Sequence, residues 1–372
     1  MKITVITVCL NSLETIEKTV QSVAAQEYPG LEYIVVDGGS TDGTLDILKK
    51  YDSVIDKLVS EPDKGIFDAM NKGIGMATGD VIAFLNSDDW YEQNAIKIVE
   101  EAFHGSSCDC VCCDNYVVRK YGDTVYYNGT QEPICNLFFR MIYFHSAIFC
   151  KRQFFKKEGN FNLKYKIAAD YEWFLRTVRQ GAKIHTVHKP VFTFSYGGIS
   201  SVNEIECGKE AREIALLHLP PGMQEYKDKI EDRFREVILC ATDYTVLHEK
   251  FLKILGDETI ILWGAGVRGK QCAEWFYKMG LRVDAIVDSN QELWGKTDKM
   301  IKIHSPRILR NKASNLIITP DEYVEDIKEM ARNIANEKIH IYVLKHLCRE
   351  IADNLKTEIE ESFLYTLNRS RD

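Results

Sequence analysis

The stretch Val81-Ile82-Ala83-Phe84-Leu85-Asn86-Ser87-Asp88-Asp89-Trp90 constrains the fold most, because a continuous apolar run stops abruptly at two adjacent carboxylates. An apolar run of this length suits a parallel-sheet strand covered on both faces. In open α/β sheets the carboxyl ends of such strands form the ligand-binding edge. Oxygen donors delivered to that edge suit hard divalent cations such as Mg²⁺ or Mn²⁺, which can bridge nucleotide phosphates. Asp is also a good helix N-cap, so this stretch alone leaves both readings open.

The flanking pattern supports the sheet. Residues 3–8, 33–36, 55–60 and 81–85 read as strands, and 13–26, 44–51 and 66–77 read as helices between them. Strands alternating with helices imply a mainly parallel sheet. From about 108 to 196 the pattern is mixed and aromatic-rich around a helix at 170–180, and 204–253 is helical and charged, broken at Pro220-Pro221-Gly222. A further strand–turn–helix series starts near Thr259. The expected organisation is an N-terminal domain over 1–203, a helical linker over 204–257 and a small second domain over 258–372. A chain of 372 residues has the length for two domains.

Composition excludes some functions. A net charge of 47 − 55 = −8 argues against nucleic acid as a partner. No apolar run reaches the length of a membrane helix. Met1-Lys2 lead straight into a strand, with no secretory-signal pattern, so the eleven cysteines read as reduced thiols of a cytosolic protein. Cys108, Cys110, Cys112 and Cys113 alternate as on a strand, which favours core cysteine over a zinc site.

Four strand ends then converge on one edge: Thr7-Val8-Cys9, Asp37-Gly38-Gly39, Ser60-Glu61-Pro62-Asp63 and Asn86-Ser87-Asp88-Asp89. A carboxylate at Asp37 can accept the imide N–H of a uracil or thymine ring, and glycines at 38 and 39 admit close backbone approach. The same three residues also make an ordinary tight turn.

In order and spacing these pieces resemble the family 2 glycosyltransferases of GT-A fold. Ile6-Thr7-Val8, Val35-Val36-Asp37-Gly38-Gly39-Ser40-Thr41-Asp42-Gly43-Thr44, Gly65-Ile66-Phe67-Asp68-Ala69-Met70-Asn71-Lys72-Gly73 and Phe84-Leu85-Asn86-Ser87-Asp88-Asp89 carry the likeness. It continues at His145-Ser146-Ala147-Ile148-Phe149 and Tyr165-Lys166-Ile167-Ala168-Ala169-Asp170-Tyr171-Glu172, and covers roughly residues 1–200. The form of the motifs is similar to the branch that builds bacterial exopolysaccharides and capsules.

The resemblance implies roles. Asp37 would contact the base of a nucleoside-diphosphate sugar. Thr7, Gly39, Asp42, Asp68, Asn71, Asn86, Ser87 and His145 would line the donor site. Asn86-Ser87-Asp88 would stand for the family's Asp-x-Asp motif, with Asp88 as the ligand of Mn²⁺ or Mg²⁺. Asn86 departs from the family by lacking the first carboxylate, which weakens metal affinity or turns Asn86 toward a ribose or sugar. Asp170 would be the general base, although as a residue it reads equally as an N-cap. His185 and His188 fit a further metal ligand or a plain strand. Residues 195–200 fit a lid over the donor or an ordinary exit loop.

In the second domain Gly264-Ala265-Gly266-Val267-Arg268-Gly269 lies between strand and helix, and Asp288 ends the next strand at the distance of a ribose-binding acid. This resembles the small Rossmann-type units appended to sugar-modifying enzymes. It leaves three roles: a nucleotide-binding regulator, a separate enzyme, or a scaffold for a homo-oligomer with glycines kept for turn geometry. An apolar stripe at Leu347, Ile351, Leu355, Ile359 and Phe363 predicts a terminal helix.

The whole reads as an inverting, metal-dependent glycosyltransferase of cell-surface polysaccharide assembly. Its donor would be a nucleoside-diphosphate sugar, UDP-linked in the first place, and its acceptor a saccharide or a lipid-linked sugar. The place of action would be the cytosol, extending to peripheral contact with the inner membrane face. The alternatives are a non-catalytic nucleotide-sugar sensor and a dehydrogenase or epimerase working through the second domain.

Overall fold

The computed structural model describes residues 1–118, 123–298, 301–311, 314–335 and 337–369. The chain divides into two compact units, Met1–Glu231 and Asp232–Asp372. In the first, the elements are β1 (Ile3–Cys9), α1 (Ile16–Ala24), β2 (Leu31–Asp37), α2 (Thr44–Leu48), β3 (Lys57–Ser60), α3 (Ile66–Met76), β4 (Val81–Phe84), β5 (Trp90–Tyr91) and α4 (Ala95–Gly105). They continue as β6 (Cys110–Val118), β7 (Thr124–Tyr127), β8 (Ile148–Lys151), α5 (Arg152–Glu158), α6 (Ala169–Arg179), β9 (Ile184–Ser195), α7 (Ile199–Val202) and α8 (Glu204–His218), with α9 (Gln224–Ala241) following.

The first sheet runs β3-β2-β1-β4-β8-β6-β9-β5, with β7 on β6. The strands β1, β2, β3 and β4 are parallel, whereas β8 enters antiparallel to β4. Period-two alternation places side chains on opposite faces. Ile6, Val8, Ile34, Val36, Ile82 and Phe84 pack on one face, while Ile3, Val5, Tyr33, Val35, Val81 and Ala83 pack on the other. Both faces are therefore covered, as the unbroken apolar runs require. The helix α8 belongs to this packing, since Ile214 and Ala215 are fully buried in the first of these cores.

Cys112 and Cys113 lie buried on β6 and Cys108 lies buried just ahead of it, all among apolar side chains. The expectation that all cysteines are reduced thiols is corrected at one pair. Cys110 and Cys150 face each other in the antiparallel register of β6 and β8 and are joined as a disulfide. Sequence spacing could not bring them together, because the partner strand arrives forty residues later.

The second unit holds α10 (Tyr244–Leu255), β10 (Ile260–Trp263), α11 (Val267–Lys278), β11 (Val283–Val287), β12 (Thr297–Asp298), β13 (Ile301–His304), β14 (Ser314–Ile318), α12 (Val324–Ile334), β15 (Ile339–Val343) and α13 (Leu344–Arg369). Its sheet runs β12-β13-β11-β10-β14-β15, parallel except at β12. The strand order reverses between β10 and β14, where the glycine turn lies. Leu347, Ile351 and Leu355 of the expected stripe are buried and Ile359 packs beside them, while Phe363 lies outside the described side chains. Among the described residues no helix is long and apolar enough to cross a membrane.

Candidate active site

The parallel register aligns Cys9 with Asp37 and Ile6 with Phe84, so β1, β2 and β4 end at one edge. Beyond Leu85 the chain leaves the sheet, and Asn86, Ser87 and Asp88 become half-buried. Asp89 turns inward and is fully buried. Its Oδ1 accepts from Ser195 N at 2.9 Å, its Oδ2 accepts from Ser146 Oγ at 3.3 Å, and its carbonyl accepts from Thr19 Oγ1 at 2.7 Å. Burial, with Asp88 alongside, pushes the Asp89 carboxyl well above the usual range. The two adjacent carboxylates thus divide their tasks. Asp89 ties three segments together, and Asp88 faces the edge opposite the loop at Gly198, where an added Cβ would stand 3.4 Å from Asp88 Oδ2. Burial raises the Asp88 carboxyl too, and His145 partly offsets it.

Asn86 meets His145, whose Nε2 is 3.2 Å from Asn86 Oδ1. An amide oxygen only accepts, so the hydrogen in that contact belongs to Nε2. The other ring nitrogen, Nδ1, is 3.6 Å from Asp170 Oδ2. Asp170 is in the first turn of α6, and the N-cap position is Ala168. Its Oδ1 accepts from Tyr171 N at 2.8 Å, which leaves Oδ2 directed to the imidazole. An apolar recess formed by Ile82, Phe84, Ile148, Phe155, Trp173 and Phe174 abuts both side chains. Burial pushes the Asp170 carboxyl above the usual range and pulls His145 below it, while their mutual attraction opposes both shifts.

Asp37 is fully buried and already satisfied by protein donors. Its Oδ2 accepts from Gly39 N at 3.1 Å, Ser40 N at 3.0 Å and Ser60 Oγ at 2.7 Å, and its Oδ1 accepts from Ser40 Oγ. Burial alone would raise its pKa, but these bonds prevail and hold it below the usual range. Asp63 Oδ2 stands over Gly38, 2.5 Å from where a Cβ would be, so a larger residue there would displace the Asp63 carboxylate. Gly39 has φ +92°, the left-handed region that favours glycine. Asp42 organises the next turn by accepting from Leu13 N at 2.9 Å and Thr44 N at 3.0 Å.

The remaining predicted positions are scattered in role. Ser87 Oγ lies 2.9 Å from Ser12 Oγ at the edge. Asp68 Oδ2 accepts from Lys64 N at 3.0 Å. Asn71 spends both ends of its amide on the main chain of Phe161, at 3.0 Å each. Thr7 is fully buried and accepts from the Tyr33 hydroxyl at 3.1 Å, so its side chain presents nothing to the edge. His188 Nδ1 pairs with Thr130 Oγ1 at 2.7 Å. Folding thus gathers Asn86, Asp88, His145 and Asp170, and gives Thr7 and Asn71 internal partners. Sequence reasoning assigned no role to Asp89; the signal was available only as an acid followed by an apolar Trp90.

The donor set suits a divalent cation only in part. Asp88 offers a carboxylate at the edge, whereas Asn86 Oδ1 and both Asp89 oxygens already have partners. Among the described residues no group of three or more His, Cys, Asp or Glu is arranged to hold a metal. A cation here would take one protein carboxylate and draw its other oxygens from a diphosphate and water, which is common for Mg²⁺ sites.

In the second unit Asp288 accepts from Ala265 N at 2.7 Å and Asn290 N at 2.8 Å. Gly264 has φ +116°, and a Cβ on Gly269 would meet Gly264 O at 1.7 Å. These residues lock the turn between β10 and α11. A Cβ on Gly266 would meet open space.

Residues 4–175 match the family model described as glycosyl transferase family 2. The PGL/p-HBAD biosynthesis glycosyltransferase of Mycobacterium bovis (strain BCG / Pasteur 1173P2) is 32% identical over 205 residues, spanning 52% of this chain and 76% of that protein. The chondroitin synthase of Pasteurella multocida is 30% identical over 180 residues, which is 47% of this chain and only 18% of that one. Among solved structures, S. aureus TarS 1–349 in complex with UDP-GlcNAc superposes with a TM-score of 0.54 at 19% identity, covering 67% of this chain and 76% of that one. The mannosyltransferase PcManGT of Pyrobaculum calidifontis, in complex with GDP-Man and Mn2+, gives a TM-score of 0.50 at 18% identity, covering 63% and 71%. These likenesses are likenesses of fold.

Proposed function

The chain belongs to glycosyl transferase family 2, and from that premise we propose that it is an inverting glycosyltransferase with a nucleoside-diphosphate sugar as donor. The convergence of Asp88 and the Asn86–His145–Asp170 chain at one sheet edge carries this reading. Inversion needs one group to take a proton from the acceptor hydroxyl and another to meet charge on the leaving diphosphate. Asp170 and Asp88 divide those tasks.

In the transfer, the acceptor oxygen forms its bond to C1 of the sugar as the bond from C1 to the diphosphate oxygen breaks. The electron pair leaves with the diphosphate, and the hydroxyl proton passes to Asp170 Oδ2. Burial raises the Asp170 pKa, which strengthens it as a base. His145 Nδ1 stands 3.6 Å from Oδ2, and Asn86 Oδ1 fixes the imidazole through Nε2. Asp88 would hold Mn²⁺ or Mg²⁺, which when bound supplies charge neutralisation at the diphosphate. The open edge above Gly38 and Gly39, beside Asp63, would take the base.

We place the acceptor among saccharides or lipid-linked sugars, and the preferred donor among UDP-sugars. The TarS complex with UDP-GlcNAc and the mycobacterial PGL/p-HBAD biosynthesis glycosyltransferase support that choice.

Thermal unfolding with UDP, GDP, dTDP and CDP, each with and without Mn²⁺, tests donor and metal together. Stabilisation by one nucleoside diphosphate that requires Mn²⁺ is expected, near 2.7 kcal/mol at about 100 times the dissociation constant. Equal stabilisation with and without Mn²⁺ would sink the metal assignment. No response to any of the four would sink the donor class.

A further inference from the structure

The helix α6 begins without a side-chain cap, since its N-cap residue is Ala168. The turn that leads into it nevertheless has its backbone donors satisfied from a distance. Lys166 N donates to Glu210 Oε1 at 2.7 Å, and Ile167 N and Ala168 N donate to Glu210 Oε2 at 2.9 and 2.8 Å. One carboxylate thus receives three consecutive backbone N–H groups, a charge-assisted arrangement stronger than neutral bonds. It stands at the N-terminal end of α6, where a negative charge is favoured by the helix dipole.

We propose that Glu210 is the positioning residue of the general base, clamping the turn 166–168 so that Asp170 stays directed at His145. The proposal rests on the assignment of Asp170 as base. Glu210 lies on α8, which is anchored in the core through the fully buried Ile214 and Ala215. The clamp is therefore fixed on a rigid element rather than on a neighbouring loop. Glu210 satisfies the N-cap amide of Ala168, while Asp170 Oδ1 takes the N3 amide of Tyr171 and Asp170 Oδ2 faces the imidazole. Removal of Glu210 would leave three donors seeking partners two to four residues from Asp170. Displacement of a catalytic group by about 1 Å can cost about 10²-fold in rate.

The test compares Glu210→Ala, Glu210→Gln, Glu213→Ala and Asp170→Asn in steady-state transfer, with calorimetric UDP binding and amide hydrogen exchange. Glu213 pairs with Lys164 where both side chains are more than half exposed, so Glu213→Ala should stay within twofold of wild type. Glu210→Ala should lower kcat by about 10- to 100-fold while donor KM and UDP affinity change less than about twofold. Glu210→Gln keeps one accepting oxygen and should lie between the two. Exchange at Lys166, Ile167 and Ala168 should accelerate in Glu210→Ala whether or not turnover is measurable. An unchanged kcat, a parallel loss of UDP affinity, or unchanged exchange at those amides would each overturn the clamp. Wild-type turnover by Asp170→Asn would instead overturn the base assignment, and exchange would still report on the clamp separately.

Discussion

Asn86 and His145 are joined by a 3.2 Å contact between the amide oxygen and Nε2, which leaves Nδ1 to face Asp170. The residue that departs from the family's Asp-x-Asp motif is thus bonded to the neighbour of the proposed base. An amide there supplies an acceptor without a charge, so His145 is not driven to the imidazolium form. Burial also disfavours that form. Asn86→Asp should reverse this. A carboxylate at 86 would favour protonated His145, and the nearby cation would pull the Asp170 pKa down. The acid limb of kcat/KM should move to lower pH, by on the order of one unit, and Mn²⁺ should bind more tightly. The pH profile of the variant against wild type decides it, and an unmoved limb would separate Asn86 from the base.

In the wild-type enzyme the same limb should lie above the ordinary carboxylate value. Burial raises the Asp170 pKa, and the proposed base works only when ionised. Rate therefore falls as pH drops through the raised pKa, earlier than for a solvated Asp. A limb at or below the ordinary value of about 3.9 would contradict the burial argument.

Much of this edge was legible from strand endings, because apolar runs and terminal acids are local signals. The parallel order of the first strands follows from helix-length connections, and Asp88 and Asp170 follow from the motifs. Glu210 was not legible, because nothing in the spacing of 166–168 and 210 says that α8 returns to that turn. The Cys110–Cys150 pairing needed the antiparallel register of β6 and β8. Asp37 illustrates another limit. Sequence shows an acid at a strand end, but only the folded turn shows how many donors it has already taken.

Asp170→Asn should separate activity from stability. The folded protein disfavours the charged carboxyl, so its folded pKa exceeds the unfolded one. A raised carboxyl pKa penalises the fold at pH values above it and ceases to do so below the unfolded pKa. Removing the charge should thus raise Tm slightly at neutral pH, while turnover falls about 10²–10⁴-fold. Nucleoside-diphosphate affinity should stay unchanged. A lower Tm at pH 7 would show that the carboxylate is stabilised rather than strained.

Glu32 shows the opposite electrostatics. It is buried on β2 opposite Thr4 of β1 and accepts from Thr4 Oγ1 at 2.6 Å, Thr78 N at 2.7 Å and Thr78 Oγ1 at 2.7 Å. Lys2 and Lys57 each approach its Oε1 at 3.2 Å. Burial alone would raise its pKa, yet the bonds from Thr4, Thr78 and Lys2 win and hold it far below the usual range. With a depressed folded pKa, its contribution is complete above the unfolded value near 4.5 and is lost as pH falls below it. Glu32→Gln should cost about 1–3 kcal/mol at pH 7, and the gap from wild type should shrink in denaturant titrations toward pH 3. A gap independent of pH would place the cost in packing instead of charge.

Gly269→Ala tests the turn of the second unit. A Cβ at 269 would stand 1.7 Å from Gly264 O, a backbone atom with little freedom to retreat. Gly264 itself sits at φ +116°, between Thr319 and Pro320. The helix α11 must therefore shift away from β10, opening the packing of Cys272 and Phe276 in that unit's core. The cost should reach at least about 1–3 kcal/mol, the usual penalty for forcing atoms into a packed interior. Urea unfolding followed by the fluorescence of Trp263, Trp275 and Trp294, with the first-unit tryptophans Trp90 and Trp173 replaced by phenylalanine, reads that unit directly. A midpoint unchanged from the tryptophan-replaced parent would mean that β10 and α11 separate at no cost, and that the glycine at 269 does not serve turn geometry.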